Sequence, residues 1–241
     1  MQTTFFRTRA LPWLRAERGH LLALFFGVLV PLYLFGMLAE DVIEQQSIAF
    51  DNALLTFVHG YATPQLDRAM LFFSLIGSAR VLIPANLMVF GLLMYLRKWA
   101  AGLFWIFAVG GAALIDVLAK HSFARTRPSL WISLAPEATY SFPSGHAMES
   151  MAVATGVIVL LWKTSFRWPA LVLGTLFVLL VSASRVYLGV HYPTDIAAAW
   201  VASAAWVIGL LMLFKGRLGH KHGVSNVHPT TTSGEGDRVM T

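Results

Sequence analysis

The apolar positions of this chain fall into long runs, and the length of those runs is the first thing they determine. Six windows, roughly 21–39, 73–96, 99–119, 147–162, 168–184 and 196–214, are nearly free of charge. A helix needs about 20 such residues to cross a hydrocarbon core. The fourth and fifth windows are short for that and are expected to extend past these limits. All six are continuous runs, without the short alternating segments of a membrane barrel. The pattern predicts an all-α polytopic membrane protein with six transmembrane helices. Between the first two, residues 41–70 scatter Ile43, Ile48, Leu54, Leu55, Phe57 and Val58 among polar positions, which predicts an interfacial helical segment on the outer side.

Composition agrees, since 57% of the 241 residues are hydrophobic and only 12% are charged, far from the balance of a soluble domain. Arg7, Arg9, Arg15 and Arg18 before the first window resemble the start of a secretory signal. The apolar run that follows exceeds the usual ~7–15 residues and lacks a small-residue cleavage site, so it reads as an anchor. Without cysteine there are no disulfides and no thiolate metal sites. With six crossings, the N-terminal arginines, Arg97, Lys98, Lys163, Arg167, Lys215, Arg217 and Lys221 all share one side, which the positive-inside rule makes cytoplasmic. Both termini are then cytoplasmic. The net charge of +6 is mostly this orientation signal and a contact with the membrane surface, and no motif points to nucleic acid.

The expected organisation is a basic leader at 1–20, a first crossing and outer segment at 21–70, a helical core at 71–215 and a disordered cytoplasmic tail at 216–241. The leader mixes Phe5, Phe6, Trp13 and Leu14 with arginines, which fits either an interfacial helix or a segment that only sets orientation. The tail is rich in Gly, Ser and Thr, and its His220, His222 and His228 read as solvated residues in preference to metal ligands.

Charge returns at the outer ends of the windows, in three clusters. These are "KHSFARTRP" from Lys120 to Pro128, "PSGH" from Pro143 to His146, and "SRVYLGVHYPTD" from Ser184 to Asp195. A helical bundle brings such ends together. Lys120, Arg127 and Arg185 then supply cations suited to phosphate oxygens. Ser144 and Gly145 stand where a loop becomes a helix, so free backbone N–H groups face the same anion, and Gly145 lets the backbone come close. Asp195, four residues after His191, is placed to accept a hydrogen bond from the imidazole and leave its other nitrogen unprotonated for attack. His146, from a different helix, is placed to protonate the departing oxygen and later to take a proton from water.

Each residue also has a plainer reading. Lys120, Arg125 and Arg127 are candidates for headgroup snorkelling, and Arg125, outside the pattern, keeps that reading. Ser144 serves equally as a helix N-cap, and His191 with Asp195 as a structural pair. Taken together, the plain account needs three coincidences. Two further residues are candidate supports. Asp116, one turn before Lys120, is expected to aim that lysine. Glu149, three residues after His146 in an apolar helix, either tunes His146 or recognises a substrate hydroxyl, or is a buried carboxylate paired to Arg80 or capped by a serine.

K-x6-R-P at Lys120–Pro128, P-S-G-H at Pro143–His146 and S-R-x5-H-x3-D at Ser184–Asp195 resemble the complete three-part signature of the type 2 phosphatidic acid phosphatase family, over roughly residues 70–214. The resemblance implies a six-helix core and a phosphohistidine intermediate on His191. It implies His146 as acid and base, Asp195 orienting His191, and phosphate held by Lys120, Arg127, Ser144, Gly145 and Arg185. It also implies catalysis without metal or other cofactor.

The implied substrate is a membrane lipid phosphate, of the undecaprenyl diphosphate or phosphatidylglycerol phosphate class if the chain is bacterial and lies in the inner membrane with its site on the periplasmic face. The motifs do not choose between these lipids or define an oligomeric state. The alternatives are a lipid-to-lipid phosphotransferase and a non-catalytic transporter or sensor of anionic lipids. Against the transporter stand the lack of inverted repeats and the gathering of charge at one face.

Overall fold

The computed structural model describes residues 11–46 and 48–218, the first seven of these as backbone only. These residues are all helical or irregular, with no strand among them. α1 (Leu11–Leu24), a π-helical turn (Phe25–Leu29) and α2 (Val30–Ile43) run on continuously. Then come α3 (Ile48–His59), α4 (Pro64–Ile76), α5 (Ala79–Tyr95), α6 (Trp99–Phe123), α7 (Gly145–Leu161), α8 (Arg167–Tyr187) and α9 (Pro193–Leu218). Of the predicted leader, residues 1–10 lie outside the described residues, and from Leu11 the backbone is already helical and continues into the first apolar window. Of the predicted tail, Gly216–Leu218 complete α9, and residues 219–241, with their three histidines, also lie outside.

Among the described residues, four helices are long and apolar enough to cross a bilayer: Arg18–Ile43, Trp99–Phe123, Arg167–Tyr187 and Pro193–Phe214. α4 and α5 together make a fifth, bent by 41°. α7, apolar over 17 residues, is shorter. Large apolar side chains such as Phe26, Tyr33, Met88, Leu173 and Leu213 are exposed on these helices. Buried polar residues, among them Asp51, Arg125, Arg185, His191 and Asp195, gather within the fold. A surface of that kind suits lipid, and the chain is a membrane protein.

The second window was expected as one straight crossing, but the helix breaks at Gly77–Ser78. Packing accounts for the break, since α4 lies so close to α8 that a Cβ at Gly77 would stand 2.4 Å from Val181 Cγ1. Only glycine admits that approach. The segment 41–70 also forms two helices where one was expected. Thr63 caps the second, accepting from the Leu66 N–H at 3.2 Å, and Pro64 takes its first position. Asp51 and Leu55 of α3 are fully buried.

α7 is enclosed by α6, α8 and α9. Ala147, Met148 and Ala152 of α7 meet Phe104, Ala108 and Ala112 of α6 and Ile196, Ala199 and Ala202 of α9. The alanines among them let backbones approach closely, and in lipid, where little hydrophobic force joins helices, dispersion and interhelical hydrogen bonds must hold them together. One such bond runs from Ser203 Oγ to the Met148 carbonyl at 2.9 Å, another from Trp200 Nε1 to Ser182 Oγ at 3.0 Å. This packing fixes the start of α7 beside the end of α6 and the start of α9.

Gly77→Ala is expected to destabilise the detergent-solubilised protein by about 1–3 kcal/mol through overpacking. Val181→Ala in the same chain should recover part of that loss. Thermal unfolding of the two variants measures both, and an additive double variant would count against the contact.

Candidate active site

The site is assembled from the end of α6, the connection 124–144, the first turn of α7, the end of α8 and the loop leading into α9. Its anchor is Asp195, fully buried in the first turn of α9. Asp195 Oδ1 accepts from Arg125 Nη1 at 2.5 Å. Oδ2 accepts from the Tyr192 N–H at 2.9 Å, from Ser141 Oγ and from His191 Nδ1 at 3.3 Å. His191 is itself 1% exposed.

The other ring nitrogen of His191, Nε2, lies 3.0 Å from Arg127 Nη1. A guanidinium has donors only, so Nε2 must be the acceptor and the ring proton must sit on Nδ1, facing Asp195. This is the tautomer expected from the His191/Asp195 spacing. Burial, and then the neighbouring Arg127, Arg185 and Lys120 charges, hold the His191 pKa well below its ordinary value. The imidazole therefore stays neutral, and the stability tied to that neutral form is complete above pH ~6.5 and is lost progressively below it, where the unfolded chain takes up a proton that the buried ring refuses, down to the lowered folded value.

The expected cations converge. Arg127 donates through Nε to the Thr139 carbonyl at 2.7 Å and through Nη1 to the Val190 carbonyl at 2.8 Å, which ties the connection 124–144 to the loop carrying His191. Arg185 is 1% exposed and donates to Ser74 Oγ of α4 and to Glu137. Its Nε has no hydrogen-bond partner, and neither does the buried Ser144 Oγ. Ser144 stands at the N-cap position of α7, but its hydroxyl makes no capping bond, so the plain capping reading does not account for it. A Cβ on Gly145 would lie 2.9 Å from Asp116 Oδ2 and 3.0 Å from Lys120 Nζ, which shows how near that lysine sits to the start of α7. Asp116 holds Lys120 through both carboxylate oxygens at 2.6 Å, as expected from their spacing.

His146 projects from the first turn of α7 to within 3.7 Å of Glu137 through Nδ1. Glu149 lies one turn deeper in α7, its Oε1 without a hydrogen-bond partner, while Arg80 is exposed. A cleft of about 470 Å³ opens beside the site, lined by Asp116, Lys120, His121, Arg127 and Tyr140 among others.

Two charged residues of the candidate site escaped the sequence reading, and one residue was misread. Arg125 is no snorkeller: its side chain is 7% exposed, paired with Asp195 and, at 2.8 Å, with Asp51, and its guanidinium lies 4.1 Å from the centre of the Tyr192 ring. A buried guanidinium between two carboxylates costs less than either charge alone, and this is why it points inward. Asp51 is the missed partner, fully buried and also accepting from Thr194 N and Oγ1. Its signal in the sequence was weak, a lone aspartate in an otherwise apolar half-turn of α3. Glu137 is the other, reaching Arg127, Arg185 and His146 from an irregular connection that no periodicity marks.

Known proteins resemble this chain along most of its length. Residues 101–218 match the PAP2 superfamily. The undecaprenyl-diphosphatase of Sulfolobus acidocaldarius is 33% identical over 168 residues, covering 68% of this chain and 77% of that one. Phosphatidylglycerophosphatase B of Bacillus subtilis is 27% identical over 191 residues, 77% of this chain and 91% of that one. The crystal structure of the transmembrane PAP2-type phosphatidylglycerolphosphate phosphatase from Bacillus subtilis superposes with a TM-score of 0.69 at 25% identity, covering 78% of this chain and 96% of that one.

Arg125→Met leaves two buried carboxylates without their cation and should cost about 3–5 kcal/mol in an unfolding measurement. Combining it with Asp51→Asn should cost less than the sum of the single changes, because the two residues share one network. Nitrogen NMR of histidine-labelled protein should find His191 neutral at pH 6, with the proton on Nδ1, where a free histidine is about three-quarters protonated. The resonance absent from His191→Gln assigns it.

Proposed function

Because this chain belongs to the PAP2 superfamily, we propose that it is a membrane lipid phosphatase that cleaves a terminal phosphate through a phosphohistidine on His191. It is a phosphoric ester hydrolase. The observation that carries the mechanism is the unprotonated Nε2 of His191, held by Asp195 and facing the seat bounded by Arg127, Arg185 and the start of α7.

In this reading, Lys120, Arg127, Arg185, the Ser144 hydroxyl and the backbone at Gly145 hold the phosphate. Arg185 Nε and Ser144 Oγ support it, because both are buried donors still without a partner. Nε2 attacks phosphorus as the bond to the leaving oxygen breaks, and His146, in its protonated form, gives that oxygen its proton. Water then attacks the phosphohistidine, His146 takes the water's proton, and the nitrogen–phosphorus bond breaks to release phosphate. Asp195 keeps the proton on Nδ1 and stabilises the charge that develops on His191. Asp116 aims Lys120. No step requires a metal.

The proposed topology has six crossings, with α7 as the short one, an outer interfacial segment within 41–70, and both termini in the cytoplasm. The site then lies on the extracytoplasmic face of a bacterial inner membrane, where the acyl or prenyl tails of the substrate remain in the bilayer. The core at 71–215 carries the chemistry. Undecaprenyl diphosphate and phosphatidylglycerol phosphate are the substrate classes, by analogy with the two enzymes named above. Transfer of the phosphate from His191 to a second lipid is the nearest variant.

Phosphate release by purified protein from undecaprenyl diphosphate, phosphatidylglycerol phosphate and phosphatidic acid, with EDTA present, tests the proposal. Release should survive the chelator and fall by about three orders of magnitude in His191→Ala. Headgroup binding without release would favour a transporter or sensor. Asp116→Asn should raise KM roughly tenfold or more and affect kcat less, since it loosens a charge-assisted hydrogen bond behind the binding lysine. Unchanged kinetics would remove Asp116 from the site.

A further inference from the structure

The seat those cations surround already holds an anion that belongs to the chain. Glu137, in the connection between α6 and α7, accepts from Arg185 Nη2 through Oε1 and lies 3.3 Å from Arg127 Nη2 through Oε2. Oε1 also stands 3.7 Å from His146 Nδ1. On the other side of the seat, Arg127 Nη1 caps the lone pair of His191 Nε2. Arg127, Arg185 and the His191 lone pair are thus engaged by one another and by the Glu137 carboxylate, while Asp116 holds Lys120.

Two observations separate this contact from a permanent ion pair. The first is depth: the Glu137 side chain is 27% exposed, whereas that of Arg185 is 1% exposed. The carboxylates that permanently satisfy Arg125, on Asp51 and Asp195, are 0% exposed. The second is capacity. With Glu137 in place, Arg185 Nε and Ser144 Oγ remain unpartnered in the interior. A planar carboxylate has two oxygens and one charge, while a terminal phosphate has three free oxygens and a charge of about −1.5 to −2 at neutral pH. The buried donors exceed what Glu137 can fill, and a tetrahedral dianion would use the remainder.

We propose that Glu137 is a built-in competitor that occupies the phosphate seat of the empty enzyme and sets the affinity an anion must have to enter. The inference rests on the phosphate-binding reading of the site given above. A competitor within the chain weakens every ligand by the same factor, the inverse of the fraction of time the seat is open. Its effect is therefore a threshold. Terminal phosphates, with more oxygens and more charge, remain strong enough to displace it. Singly charged phosphodiester headgroups, which surround the site in any bilayer, are held below occupancy, and orthophosphate left after turnover, which has no lipid tail to hold it at the membrane, is weakened by the same factor. Because Glu137 sits on an irregular connection at the mouth of the site, it can withdraw without disturbing a helix.

The test compares the full-length wild type with Glu137→Gln and Glu137→Ala in detergent. Binding of inorganic phosphate is followed by the rise in unfolding temperature with phosphate concentration, and by competitive inhibition of turnover. If Glu137 fills the seat about nine-tenths of the time, phosphate should bind roughly tenfold tighter to Glu137→Ala, with Glu137→Gln in between. Phosphatidylglycerol added to the micelles should inhibit the variants competitively at amounts that leave the wild type unaffected. Unchanged or weaker phosphate binding in both variants would overturn the proposal and make Glu137 an aid to anion binding. The melting readout works without turnover, so failure of the wild type to release phosphate from any lipid would count against the proposed activity and not against the role of Glu137.

Discussion

The carboxylate of Asp195 holds the working end of this protein together. Buried at the start of α9, it accepts hydrogen bonds from Arg125, Ser141, the Tyr192 backbone and His191, which come from two separate parts of the chain. A carboxylate removed from water is costly unless all of its acceptor capacity is used, so the structure that buries Asp195 must also deliver these donors. Delivering them brings the stretch Ser141–Ser144 against the start of α9, fixes the tautomer of His191 and turns Arg125 inward. Arg125 in turn reaches Asp51, so that α3 is tied to the same centre. Assembly of these loops and the orientation of the His191 ring are thus one condition.

That centre needs helices that sit close together, and in a bilayer the hydrophobic effect does not press them together. The alanine-lined contacts among α6, α7 and α9 and the few hydrogen bonds between helices take its place. Apolar surface faces outward and the polar network lies within, the reverse of a soluble domain. The bend at Gly77 follows from the same demand: α4 must approach α8 closely enough for Ser74 to meet Arg185. Close helix packing lies below the candidate site and an irregular connection lies above it. Among the described residues, Arg185 Nε and Ser144 Oγ are left buried there without partners.

Much of this was legible in the sequence, because length and polarity act locally. An apolar run long enough to span lipid must be helical wherever it packs, since no other conformation satisfies its backbone there. Each of the six windows corresponds to helical structure, and the second alone contains a break. The pairs Asp116–Lys120 and His191–Asp195 were also legible, because one helical turn or a tight loop brings such neighbours together whatever the rest of the chain does. Ser144 and Gly145 could be placed at a helix start from their own chemistry.

Long-range geometry was decided by the tertiary structure alone. Asp51 lies 74 positions before Arg125 and 144 before Asp195, and its one local mark, standing as the lone acid of α3, does not say what it meets. Arg125 differs from a snorkelling arginine only through the two carboxylates it meets, and those lie on other elements. Glu137 belongs to a connection whose path is set by Arg127 and Ser141, so its arrival between Arg127, Arg185 and His146 follows from contacts that exist only once the bundle has formed. The sequence by itself determined the helices, the membrane and the chemical groups, because local spacing and solvent preference suffice for these. Which charges face one another, and which anion waits in the seat, depended on where separate helices end in space.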